Sequence, residues 1–324
     1  MGALLAAAQV VLKEKLLDPQ SAVLLYGTTP PRAGTEESAV RQAADKLAAR
    51  LAPLPIDGVV VYDIQDESGR TDAPRPFAFT GTVDPRSYSS LLAARTGKPA
   101  ITYKCVGDLD AAAWQAWLAG AAREHGVEFL SIVGRPTSGV RHPLALSKAI
   151  GLAAAHPAGF TVGGVVIAER HTAERSEAAR LLAKGIEGCG YFISQTVYHA
   201  DASERLLADY ARDCRGAGVR PRRIVLTFSP VGRERTMAFL NWLGVRIPPE
   251  TSRAILGAAD PLHKSVDICC ENLRRILAHD YVREIPLGIN VESVSINKDE
   301  IDASVDLFHA LSEVLRDELR EAPG

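Results

Sequence analysis

The 324-residue chain contains no uninterrupted apolar run of the roughly 18 residues that a membrane-spanning helix needs. Its charges, 37 Lys plus Arg against 39 Asp plus Glu, nearly cancel, and neither sign gathers into a run. The missing basic stripe argues against nucleic acid as a partner, and the missing acidic run against a disordered charged tail. Cysteine is scarce. The five residues, Cys105, Cys189, Cys214, Cys269 and Cys270, are odd in number and hold no C-x-x-C pair, which excludes a disulfide framework and a thiolate metal site. The vicinal Cys269-Cys270 reads as two buried thiols on a helix, with a redox pair as the alternative. The opening MGALLAAAQVVLKEKLLDPQ lacks the basic start of a secretory leader, and Lys13, Glu14 and Lys15 interrupt its apolar stretch. Leu4, Leu5, Val11, Leu12, Leu16 and Leu17 instead fit a packing helix over 1–20. The expectation is a cytoplasmic protein without a membrane partner, with a homo-oligomer left open.

What is present is a regular alternation. Short β-branched runs occur at VLLYG (23–27), DGVVVYDI (57–64), PAITYKCV (99–106) and EFLSIVG (128–134). Four more follow at TVGGVVIA (161–168), YFISQTVY (191–198), RIVLTFS (223–229) and IPLGINVES (285–293). Between them lie helical patterns, with Thr35, Asp110 and Asn297 as expected N-caps and a helix expected over 171–186. Runs that are almost wholly apolar imply strands buried on both faces, as parallel sheets require. No G-x-G-x-x-G follows the first strand, which removes the main support for a dinucleotide-binding open sheet. Eight βα units over 1–324 therefore predict one α/β domain, a (β/α)8 TIM barrel, with a helical elaboration at 232–280 between strands seven and eight.

In such a barrel the chemistry collects where the strands end. Tyr26 and Gly27 close the first strand, Asp63 and Glu67 follow the second, and Tyr103 and Lys104 close the third. Arg135 follows the fourth, Glu169 and His171 the fifth, Gln195 and Tyr198 end the sixth, and Asn290 and Glu292 the eighth. Alternation puts Leu287, Ile289 and Val291 on one face of the last strand and Asn290 and Glu292 on the other, which should point inward. The same argument, applied to Ile101 and Tyr103 against Thr102 and Lys104, allows an inward Lys104. Against this stands the simpler reading of each polar residue as a solvated rim group; their convergence at one end favours a site.

These loops are similar to those of a known family. The first strand followed by Pro30-Pro31-Arg32, FISQTVYHAD (192–201), FSPVGRERTMAFLNWLGVRIPPE (228–250) and SINKDE (295–300) resemble, in order, segments of the methylenetetrahydrofolate reductases. IVGRPTSG (132–139) lies where that family has Leu-Arg-Gly-Asp-Pro. The resemblance implies a tetrahydrofolate substrate, reduced from the 5,10-methylene to the 5-methyl form with NAD(P)H, and a FAD site. It implies that Gln195 reads the pterin, that Lys298 meets the folate tail, and that His171, Lys184 and Thr102 line the flavin. Tyr26, Arg135, Tyr198 and Asn290 complete the candidate substrate contacts.

Two departures stand out. Gly27 occupies the position of the family's general acid, and Arg135 that of the Asp that accepts from the pterin. Thr102 and Ile167 also replace a His and a Tyr beside the isoalloxazine, so the expected reaction is a reduction that dispenses with flavin. A substitute acid is then required, with Glu292, Asp63 and Glu67 as candidates. The alternatives are a folate-dependent one-carbon transferase or demethylase, a non-catalytic folate-binding homologue, and more distantly a lyase using Lys104 as a Schiff base.

Overall fold

A computed structural model describes residues 2–66, 71–135 and 143–321. Eight parallel strands close into a barrel in sequence order, the last pairing with the first. They are β1 (Val23–Thr28), β2 (Gly58–Val61), β3 (Ala100–Cys105) and β4 (Phe129–Val133), then β5 (Thr161–Val166), β6 (Tyr191–Thr196), β7 (Arg223–Phe228) and β8 (Leu287–Glu292). An N-terminal helix, α1 (Gly2–Leu17), precedes them. Six helices link β1 to β7 with α2 (Glu37–Leu51), α3 (Pro85–Thr96), α4 (Ala111–His125), α5 (Leu146–Ala154), α6 (Glu177–Glu187) and α7 (Ala200–Ala217). The expected elaboration is three helices, α8 (Glu234–Trp242), α9 (Pro249–Leu256) and α10 (Pro261–Leu277), and α11 (Lys298–Glu321) closes the ring. Among the described residues no helix is long and apolar enough to cross a membrane.

Two separate apolar layers follow from the period of two along each strand. Leu25, Val60, Ile101, Phe129, Ile193 and Val225 fill the barrel interior, and Leu12 and Leu16 of α1 plug its N-terminal end. The opposite strand faces pack on the surrounding helices, with Val59, Leu130, Phe192, Leu226 and Ile289 in that shell. Inside the barrel the ring of Tyr191 lies across Gly163, where a Cβ would come within 2.3 Å of it. The Tyr191 hydroxyl donates to the Leu130 carbonyl at 2.8 Å, so this deep polar atom is satisfied.

Helix starts are legible in part. Asp110 accepts from the Ala113 amide and caps α4. Thr35 does not cap α2, which begins two residues later behind Glu36 with no side-chain cap. The helix expected over 171–186 starts at Glu177, because Ser176 caps it and Thr172 to Arg175 form a turn. All five cysteines are free and buried.

Candidate active site at the barrel mouth

At the C-terminal end of the barrel five side chains meet. Thr196 Oγ1 donates to Glu292 Oε1 at 3.1 Å, and the Tyr62 hydroxyl also donates to this carboxyl. Asn290 Nδ2 donates to the Tyr62 oxygen at 2.9 Å and to Thr227 Oγ1 at 3.2 Å. Because Asn290 supplies the proton to the phenol oxygen, the phenol's own hydrogen is directed at Glu292. Burial raises the Glu292 carboxyl above the usual range, and the hydrogen bonds from Tyr62 and Thr196 only partly oppose it. Burial likewise raises Tyr62 well above an ordinary phenol, with the neighbouring Glu292 adding to the effect. Tyr103 packs edge-on against Tyr62, ring centres 4.8 Å apart, and walls the pair from below. The arrangement makes this carboxyl hold its proton more tightly than an exposed one and sets it beside Tyr62 and Thr196 at the end of the barrel.

The location of Glu292 has a further consequence. Across the β1–β8 ladder its Cα partners that of Gly27. The carboxyl therefore comes from the strand beside the position that the resemblance assigns to the acid. Among the described residues, Asn290 Oδ1 in this cluster and Gln195 Oε1 at the end of β6 are buried polar atoms with no hydrogen-bond partner. Orphaned acceptors of this kind cost roughly 1–3 kcal/mol each unless a ligand or water meets them.

An irregularity in β6 moves Gln195 off the inward face. Register along β6 and β7 runs Ile193 to Val225 and then Thr196 to Thr227, so one extra residue bulges from β6. The bulge gives Thr196 the inward place and turns Gln195 toward the segment after α8, where its Nε2 donates to the Leu243 carbonyl at 2.7 Å. A cavity of about 10 Å³ borders it, lined by Glu169, Ser194, Gln195, Thr196 and Val197 among others.

Several expected site residues lie elsewhere. Lys104 is not inward. Tyr103 takes the interior, so Lys104 turns to the helix shell, pairs with Asp63 at 3.0 Å and approaches the Trp117 ring. Asp63 also accepts from the Cys105 amide at 2.9 Å, which ties it to the end of β3 and away from Glu292. Tyr26 faces α11 and bonds Ser304 at 2.7 Å, and Tyr198 is buried against the Ser229 carbonyl and Ser265. Both phenols are thus occupied behind the barrel wall. Arg135 pairs with Asp108 at 2.7 Å on the rim, and Lys298 is exposed on α11 beside Asp302. Glu67 lies outside the described residues.

The three residues that the resemblance assigns to a flavin do not fit one. Thr102 bonds Ser89 of α3 inside the helix shell at 2.8 Å. Lys184 donates to the Val165 carbonyl at 2.8 Å, and its burial lowers the ammonium's pKa. His171 uses both ring nitrogens, one against Asp209 and one against the Glu177 amide at the start of α6. Reading the sequence for strand ends had missed Tyr62 and Thr196; the alternation Val60, Tyr62 was the available signal for the first.

Fold and site define a (β/α)8 barrel with a partly buried phenol–carboxyl pair at its mouth. Neither a protein-family model nor a curated protein matches the chain. Among solved structures, an uncharacterised protein from Clostridium thermocellum that binds two copies of 5-methyl-5,6,7,8-tetrahydrofolic acid is similar, with TM-score 0.79 and 31% identity over 94% of this chain and 99% of that one. The chain belongs to the family of that protein. Oxaloacetate acetylhydrolase in complex with 3,3-difluorooxalacetate gives TM-score 0.47 at 11% identity, covering 97% of this chain and 86% of that chain. For 2,3-dimethylmalate lyase the values are 0.46 and 14%, with 97% and 98% covered.

Proposed function

We propose that the protein binds a reduced folate at the barrel mouth and that Glu292 delivers a proton to it. The observation that carries this reading is the carboxyl of Glu292, whose pKa desolvation raises, bonded to Thr196 and paired across the ladder with Gly27. The folate bound by the Clostridium thermocellum relative supports the ligand class. So do the orphaned acceptors Asn290 Oδ1 and Gln195 Oε1, since a reduced pterin offers an amino group and ring N–H donors in one plane.

The finer reading is reduction of 5,10-methylenetetrahydrofolate, in keeping with the resemblance to methylenetetrahydrofolate reductases. NAD(P)H would supply a hydride to the methylene carbon. The chain's own part is to give the Glu292 proton to N10, so that the C–N10 bond breaks and the methylene stays on N5 as an iminium. Tyr62 and Thr196 hold the resulting carboxylate until it is reprotonated from solvent. No flavin step is drawn, because the residues assigned to it are committed elsewhere.

Calorimetry with 5-methyltetrahydrofolate tests the ligand, and oxidation of NAD(P)H in the presence of 5,10-methylenetetrahydrofolate tests the reaction. Saturable folate binding that Gln195→Ala weakens, with turnover that Glu292→Gln cuts about 10²–10⁴-fold, is the expected pair of results. Absence of folate binding would defeat the whole reading; binding without NAD(P)H oxidation would defeat the reductase step alone.

A further inference from the structure

The end of the barrel opposite the mouth carries a cleft of about 490 Å³. It opens between the end of α1 (Leu16, Leu17, Pro19, Gln20), the turn from α7 into β7 (Val219 to Arg223) and the segment before β8 (Arg283, Glu284, Pro286). Its size falls within the roughly 300–1,000 Å³ typical of small-molecule sites.

The charge around this cleft is one-sided. Arg215, Arg220, Arg222, Arg223 and Arg283 line it, and Glu284 is the one carboxylate among the lining residues described. The chain as a whole carries a formal charge of −2, so this is a local concentration of positive charge. Two of the five guanidiniums are committed. Arg223 is buried and donates to the carbonyls of Leu16, Asp18 and Leu287, which makes it a fixed wall. Arg215 pairs with Glu284.

Arg220, Arg222 and Arg283 are exposed, and no hydrogen bond or ion pair is found for their side chains among the described residues. Helix C-termini at this end attract positive charge, yet a helix end amounts to only about half an elementary charge. Arg215, in the last turn of α7, already serves it. Three further uncommitted cations exceed that need.

The remaining walls are apolar. Leu17 and Val219 are 54% and 41% exposed here, and Pro19, Pro221 and Pro286 flank them. A bare anion would use the arginines and leave these walls wet. An exposed apolar wall beside guanidiniums without a partner suits a ligand that is apolar in its body and anionic at its edges.

We propose that this cleft is a second ligand site, separate from the mouth, for a small molecule with a ring-sized apolar body and two or more carboxylate or phosphate groups. Arg220 and Arg283 hold the anionic groups, Arg222 adds a third contact, and Leu17 and Val219 cover the body. The assignment does not depend on folate binding at the mouth.

Trimesate, a benzene ring with three carboxylates, is a suitable probe. Calorimetry at low salt should show saturable binding to the full-length protein, weakened as salt is added. Arg220→Glu with Arg283→Glu should weaken it by about tenfold or more, since two charge-assisted contacts at roughly 1.5–3 kcal/mol each become repulsive. Both residues are exposed, and an unchanged melting temperature will show that the double variant folds; if it does not, Arg283→Gln alone should still weaken binding. Gln195→Ala and Glu292→Gln, at the other end, should leave trimesate affinity unchanged. The proposal is overturned by absence of saturable binding, by equal affinity in the charge-reversed variant, or by loss of binding in the mouth variants. Inorganic phosphate binding as tightly as trimesate would overturn the part assigned to the apolar walls.

Discussion

The hydroxyl of Tyr62 stands 2.7 Å from the point that a Cβ on Gly27 would occupy, with two of its ring carbons at 3.0 and 3.1 Å. The glycine on β1 and the ring following β2 therefore share one volume. A side chain at position 27 and the Tyr62 phenol exclude each other, and the phenol is one of the groups that hold Glu292. Gly27→Ala is expected to destabilise the protein by about 1–3 kcal/mol through overpacking. In a Tyr62→Ala background the same substitution should cost almost nothing, because the two sites are coupled. Urea unfolding of the four proteins in this cycle measures the coupling; equal costs in both backgrounds would contradict it.

Glu292 sets a pH dependence whose sign follows from its raised pKa. The folded state holds the proton more tightly than the unfolded chain, so stability falls as pH rises from the unfolded value of about 4.3 toward the folded value, then levels off. Glu292→Gln removes this loss while keeping an acceptor for Thr196. The variant should melt above the wild type near and above neutral pH, and the difference should vanish below about pH 4. Each pH unit between the two values corresponds to about 1.4 kcal/mol. A wild type whose melting temperature tracks the variant at every pH would show that the carboxyl is not perturbed.

Gln195, at the end of β6, leaves Oε1 without a hydrogen-bond partner and spends Nε2 on the Leu243 carbonyl. Gln195→Ala should lower affinity for 5-methyltetrahydrofolate about tenfold to a hundredfold, the equivalent of roughly 1–3 kcal/mol for unpaired ligand groups. Calorimetry reads this directly. Unchanged affinity would remove Gln195 from the ligand site.

The commitments of Thr102, His171 and Lys184 predict that the protein purifies without stoichiometric flavin. An absorption spectrum of the purified protein is sufficient. A full flavin band that persists through dialysis would mean that the cofactor is held by other residues.

The cysteines should be inert in the folded protein. Burial pushes the Cys189 thiol up to about 12, and raises Cys105, Cys214, Cys269 and Cys270 as well. The thiolate is the reactive form, so Ellman's reagent should find all five only after denaturation. Rapid labelling of native protein at Cys269 or Cys270 would revive the redox-pair reading.

How far the site was legible differs from strand to strand. On β8 the alternation of Leu287, Ile289 and Val291 against Asn290 and Glu292 is sharp, and the structure places the polar set inward as the pattern implies. On β3 both sets are mixed, Ile101 with Tyr103 and Thr102 with Lys104, and the pattern cannot say which one is inside. The interior took the larger apolar pair, since Lys104 could find Asp63 and Trp117 at the shell while nothing inside would pair its charge. On β6 a one-residue bulge breaks the alternation after Ile193, and it is this break that separates Thr196 from Gln195.

The sequence by itself determined the closed eight-stranded barrel, its helical elaboration before the last strand, and the end at which the candidate polar side chains lie. Those depend on period and order, which are local and repeat along the chain. The tertiary structure decided which polar side chains remain available there. Tyr26, Tyr198, Lys184 and His171 are each satisfied by groups far away in sequence, as Tyr26 is by Ser304 and His171 by Asp209. Tyr62 and Glu292, 230 positions apart by subtraction of their numbers, meet only because β8 closes the barrel onto β1. A hydrogen bond between such partners depends on distance and direction across the closed ring, and neither is encoded in the spacing of either segment.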